Sequence, residues 1–136
     1  NAIRIGGPNN GISRSLTFNS ATSALLKFKF RRLNFNNGGE QLLVQINGAT
    51  VYTVNDGDYA GTDVNYTEII LPLTSYNANS GNTLQFITNG TPATNEYYWI
   101  DDVELIYFKS PACYIAKVNI ASTNGEYLSY WNLRQQ

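Results

Sequence analysis

The segment Tyr97-Tyr98-Trp99-Ile100-Asp101-Asp102-Val103-Glu104-Leu105 carries an apolar rhythm that slips once. Val103, Leu105 and Tyr107 share one face at a period of two, the side-chain period of a β-strand. Ile100 stands three residues before Val103, so both reach one core only if the strand holds a bulge at Asp101-Asp102. The flanking sequence keeps the period of two. Leu26, Phe28 and Phe30 face one way while Lys27, Lys29 and Arg31 face the other. Asn47-Gly48 is a two-residue hairpin signal, because both positions tolerate positive φ. No stretch has apolar residues at helical spacing over three turns. The pattern predicts strands over 2–5, 14–18, 24–33, 41–46, 50–55, 64–73, 83–88, 97–108, 114–120 and 126–133, separated by Gly, Asn and Ser clusters. Short strands with turns at such spacing predict an all-β, two-sheet antiparallel sandwich.

Composition narrows the chemistry. The 136 residues suit one domain. There is no His, which excludes Ser-His-Asp and Cys-His catalysis and removes the commonest zinc ligand. Nine basic against ten acidic residues give a net charge of -1, which argues against nucleic acid as a partner. No apolar run approaches the roughly 20 residues of a membrane-spanning helix. Cys113 is the single cysteine, so the chain closes no disulfide on itself. With no Met and no basic-apolar leader, the chain reads as a mature or excised segment of a secreted or cell-surface protein.

The bulge is also the first candidate site. Paired carboxylates beside exposed backbone carbonyls are natural oxygen ligands for Ca²⁺, whereas the bland alternative is two aspartates capping a strand at the surface. Asn55-Asp56-Gly57-Asp58, with Asp63 beyond it, is a second compact acidic loop. Its spacing does not match an EF-hand, and Asp and Gly are ordinary turn formers.

Trp99-Ile100-Asp101-Asp102-Val103-Glu104-Leu105 resembles the closing strand of jelly-roll domains in secreted bacterial proteins, the carbohydrate-binding modules and the related MAM-type adhesion domains. Ala2-Ile3-Arg4-Ile5-Gly6-Gly7 is similar to their first strand. Residues 42–46 and Ile69-Ile70-Leu71-Pro72-Leu73 are similar to their central strands. The resemblance covers about residues 1–108 and implies a structural calcium ion held partly by Asp101 or Asp102; the jelly-roll domain is expected over residues 1–110. Residues 111–136 lie outside that pattern and form a C-terminal β extension, packed on the same sandwich or on a neighbouring chain.

Aromatic residues in or beside loops make the case for a glycan, since sugar rings present C–H faces that stack on Tyr and Trp. Tyr59, Tyr66, Tyr76, Tyr97 and Trp99 are the candidates, against the common alternative that strand aromatics simply pack half-buried. Trp99 has the best claim, because it opposes the inward direction of Ile100. Lys27, Lys29, Arg31 and Arg32 form a cationic stripe, suited to an acidic glycan or to discouraging edge pairing. Glycoside hydrolysis needs two separated carboxyl groups, and no such pair is marked. Two functions follow. One is a non-catalytic carbohydrate-binding or adhesive module with a structural calcium site, its partner a glycan or cell-surface polymer. The other is a homo-oligomeric subunit of a surface filament, joined by strand addition of the apolar tail that holds Tyr127, Leu128, Tyr130, Trp131 and Leu133.

Overall fold

The computed structural model describes residues 2–6, 10–17, 20–33, 39–55, 58, 65–74, 76–77, 80–89, 96–110, 112–118, 120 and 131–133. Among these residues there are ten strands and no helix. They are β1 (Ile3–Gly6), β2 (Gly11–Leu16), β3 (Ser23–Leu33), β4 (Gln41–Ile46), β5 (Ala49–Asn55), β6 (Thr67–Leu73), β7 (Asn82–Asn89), β8 (Tyr97–Lys109), β9 (Ala112–Lys117) and β10 (Trp131–Leu133).

Two antiparallel sheets result. One has the order β10-β9-β8-β3-β6, with β1 also paired to β8; the other has the order β2-β7-β4-β5. β8 is the organising strand. Along one edge it pairs with β3, and along the other it pairs first with β1, at Tyr97–Ile100, and then with β9, at Glu104–Lys109. The strictly alternating strands close the core from both sides. Leu26, Phe28 and Phe30 of β3 and Leu42, Val44 and Ile46 of β4 are all 0% exposed. Between the sheets, the Phe28 and Phe86 rings meet edge to face at 5.1 Å. This is the sandwich that the period of two predicts, and its composition is consistent with a jelly roll.

The bulge lies where the slipped rhythm puts it. Lys27 pairs with Glu104 and Lys29 with Asp101, so β8 spends one residue more than β3 between these rungs. Ile100 and Val103 are both buried as a result, and Asp102 takes up the extra residue with φ 48. Asp tolerates this left-handed conformation better than most residues. The hairpin β4–β5 turns at Asn47 and Gly48, with φ of 52 and 81.

One expectation about β3 is corrected. Arg32 does not join the outward cationic stripe; it is 7% exposed on the inner side, because neighbouring strand residues point to opposite faces. The tail residues that are described dock on their own sandwich. β9 lies beside β8, Val118 donates its N–H to the Val103 carbonyl (2.7 Å), and Ala116, Val118 and Ile120 are buried. Arg14 Nη2 on β2 reaches the Ile120 carbonyl at 2.7 Å, tying the segment to the second sheet. β10 then pairs with β9. Tyr127, Leu128 and Tyr130 lie outside the described residues.

Candidate functional site

The outer face of the larger sheet gathers residues that are far apart in sequence. Arg4 of β1 and Arg31 of β3 both stand in register with Trp99 of β8. The Arg4 guanidinium carbon lies 5.7 Å from the Trp99 ring centroid, and that of Arg31 lies 5.2 Å from it. Arg31 also lies 5.8 Å from the ring of Tyr66, which precedes β6, while Arg4 lies 4.4 Å from the ring of Tyr97. The result is one row across four adjacent strands, Arg4–Trp99–Arg31–Tyr66, with Tyr97 beside Arg4.

Each cation–π contact at such half-exposed positions contributes about 0.5–1 kcal/mol. Together they hold long, rotamer-rich arginine side chains in place. Trp99 and Tyr97 are half-buried, and Tyr66 is 40% exposed at the end of the row. Trp99 is therefore not a bare stacking platform, because guanidinium groups from both neighbouring strands flank it. The open ring is Tyr66.

Gly6 sets the place of Tyr97. A Cβ on Gly6 would stand 2.3 Å from Tyr97 Cδ1, so the ring occupies the space that glycine leaves empty. Neither Arg4 nor Arg31 has a carboxylate partner among the described residues. Two other cations of this face are paired: Lys27 with Glu104 at 3.0 Å, and Lys29 with Asp102 at 2.8 Å. The row also contains two N–H donors, Arg31 Nε and Trp99 Nε1, that are shielded from solvent and have no hydrogen-bond partner.

The remaining sequence candidates fall elsewhere. Tyr76 packs against the core, and its hydroxyl donates to the Ala21 carbonyl (3.4 Å), near the start of β3 and away from Arg31. Tyr59, Asp56 and Asp63 lie outside the described residues. Asp58 closes its own turn: its Oδ2 accepts the Asn55 backbone N–H (2.8 Å) and the Asn55 side-chain amide (3.1 Å). At the bulge, the Asp102 carboxylate is held by Lys29, and Asp101 Oδ1 accepts the Asp102 N–H at 2.9 Å. The hydrogen bond from Lys29 and its charge hold the Asp102 carboxyl below the ordinary aspartate range. Among the described residues no group of three His, Cys, Asp or Glu side chains converges as a metal site. At the bulge Asp102 is paired with Lys29, and among the described residues no third carboxylate joins Asp101 and Asp102.

Sequence reasoning missed Arg4. Its one signal was its place between Ile3 and Ile5, which turns it to the outer face. It also missed the buried polar residues at the same end of the sandwich, where Glu40 and Glu96 are 1% and 2% exposed. Both follow segments that read as loops, and nothing in the alternation marks a charged residue there as buried.

No protein-family model matches the chain, and no curated protein matches it. Solved structures do resemble it. One is a family 35 carbohydrate binding module from an environmental isolate, at TM-score 0.50 and 13% identity over 79% of this chain and 76% of that one. Another is the EclA C-terminal domain, a sugar-binding protein, at TM-score 0.52 and 9% identity over 77% of this chain and 76% of that one. At these identities the likeness is one of fold: the chain shares the β-sandwich fold of these two proteins.

Proposed function

We propose that this chain is a non-catalytic, secreted or surface-displayed module that binds carbohydrate on the outer face of its larger sheet, at the row formed by Arg4, Trp99, Arg31, Tyr66 and Tyr97. The observation that carries the reading is the row itself. Three aromatic rings and two arginines without carboxylate partners meet there from strands remote in sequence. The ring edges and faces offer C–H stacking, and the guanidinium groups offer hydrogen-bond donors already fixed in position. The fold shared with two sugar-binding proteins supports the same reading. The chain has no His and its sequence marks no pair of separated carboxylates, which favours binding over hydrolysis.

Calcium does not enter this proposal, because Lys29 occupies the Asp102 carboxylate. The filament reading rested on an apolar tail in need of a neighbour. The first part of the extension, Ala116, Val118 and Ile120, finds cover within its own chain, which favours the binding module.

A glycan array with the purified chain, followed by affinity electrophoresis of Tyr66→Ala and Tyr97→Ala, tests the proposal. We expect binding to at least one glycan, weakened by each substitution by about 1 kcal/mol, the scale of an aromatic contact. Tyr76→Ala, away from the row, leaves binding unchanged. An empty array, or binding insensitive to both row substitutions, refutes it.

A further inference from the structure

We infer that the row selects an acidic saccharide, a chain bearing carboxylate groups, and not a neutral glycan; this rests on the carbohydrate-binding reading above. The charge arrangement carries the inference. On the outer face of the larger sheet, Lys27 and Lys29 are each neutralised by a carboxylate of the neighbouring strand, whereas Arg4 and Arg31 are not neutralised by any described residue. Arg4 and Arg31 both lie over aromatic rings, unlike Lys117, the exposed cation opposite Glu104 on β9. Stacked this way, a planar guanidinium keeps its edge N–H groups free for a bidentate pairing with a carboxylate. The stacking also removes part of the rotamer freedom that a free arginine loses on binding, so the donors are fixed before the ligand arrives.

Spacing points to a polymer. Arg4 and Arg31 sit on the two strands either side of β8, so their backbones lie about 10 Å apart across the sheet. One carboxylate reaches one guanidinium, and a chain of acidic sugars laid across the strands reaches both. Tyr66, exposed at the end of the row, offers a ring on which a further sugar stacks.

The test uses matched polymers. Polygalacturonate, alginate, glucuronoxylan and hyaluronan are each compared with their own carboxyl-reduced forms, which keep the linkage and lose the charge, and with dextran sulfate. We expect at least one acidic polymer to bind about tenfold or more tighter than its reduced form, as for a charge-assisted pair set against a neutral one. Affinity falls as salt rises from 50 to 500 mM. Arg31→Gln and Arg4→Gln each remove most of the preference for the acidic over the reduced polymer. Lys29→Gln, whose charge is already spent, leaves that preference in place. Circular dichroism and melting of each variant separate lost binding from lost folding; should Arg31→Gln unfold, Arg4→Gln on the edge strand decides.

Equal binding of acidic and reduced polymers overturns the inference and leaves carbohydrate binding standing. So does array binding of neutral glycans without any of the four acids. Dextran sulfate bound as tightly as the best carboxylated polymer overturns the carboxylate preference. Binding to no saccharide of any kind overturns both.

Discussion

Gly6→Ala tests whether the Tyr97 ring rests on the backbone of β1. The new Cβ would stand 2.3 and 2.7 Å from the ring carbons Cδ1 and Cε1, and 2.9 Å from the Glu96 carbonyl oxygen. Contacts below 3 Å do not persist, so something moves. The ring is half-exposed and can swing outward, at the loss of its 4.4 Å stacking with Arg4, about 0.5–1 kcal/mol. The Glu96 carbonyl belongs to the backbone and yields less easily. Overpacking of this kind costs about 1–3 kcal/mol, offset by about 0.5 kcal/mol because alanine has less freedom than glycine in the unfolded chain. The net loss is about 0.5–2.5 kcal/mol, or a fall in Tm of about 2–10 °C for a domain of this size. Two further glycines bracket the prediction. In Gly81→Ala the Cβ meets nothing closer than the Leu16 carbonyl oxygen at 4.0 Å, so stability is unchanged or slightly raised. In Gly11→Ala it meets the Phe86 carbonyl oxygen at 2.6 Å and Ile87 Cα at 3.1 Å, all across the β2–β7 pairing, so the loss is the largest of the three. Scanning calorimetry reads all three variants at one pH and salt. The order expected in Tm is Gly81→Ala, then Gly6→Ala, then Gly11→Ala. If Gly6→Ala melts with Gly81→Ala, the ring does not lie where the argument needs it.

Asp102, at φ 48, should accept Gly with a change within about 0.5 kcal/mol, whereas Asp102→Val should cost about 2 kcal/mol, because a β-branched residue fits the left-handed region poorly; denaturant titration that fails to separate the two contradicts the bulge geometry. Asp102's carboxyl is held below its usual range by the Lys29 hydrogen bond, so the pair's contribution is present above the unfolded value of 3.8 and is lost as pH falls through the folded value. Acid titration of Lys29→Met should therefore show a shallower loss of stability than the parent, most clearly at low salt; parallel curves would show that the pair contributes nothing. Melting in calcium and in chelator should coincide, and a rise in calcium that Asp102→Ala abolishes would restore a metal to the bulge. Truncation after Ser110 should leave a much less stable chain, since it removes β9 together with the buried Val118 and Ile120; a truncated chain that melts with the full one would detach the tail from the fold.

Local signals were legible in the sequence, and neighbours across the sheet were not. The Asn47-Gly48 turn follows from two residues that tolerate positive φ, and the bulge follows from one three-residue gap between apolar positions. Both are properties of a few adjacent residues. Alternation likewise tells which side chains share a face, which is why Trp99 was read as outward. It does not tell which strands lie side by side. Arg4 and Arg31 meet at Trp99 only because β1 and β3 flank β8, a matter of strand order. Lys29 reaches Asp102 across 73 residues of sequence, an ion pair that alternation does not reveal. Arg32 was misread for a local reason: two adjacent strand residues cannot both face out, and charge was allowed to outweigh parity.

The arrangement around β8 governs the order in which the chain acquires its shape. β1 comprises residues 3–6, yet its hydrogen-bonding edge is supplied by residues 97–100. When the chain emerges from a ribosome at about 5–20 residues per second, the first strand has no mate for roughly 5–20 s. The smaller sheet is not delayed in the same way. Its β4–β5 hairpin closes over a two-residue turn, and β7 completes its sheet before β8 is made. Arrival of β8 then recruits β1, extends β3 and templates β9 within one short stretch of synthesis. Closure of the larger sheet is thus a late event with a long loop to close, and folding is expected to be slow for its length. During the wait Ile3 and Ile5 remain uncovered on a strand with a free edge, the species on which a chaperone or another nascent chain would act.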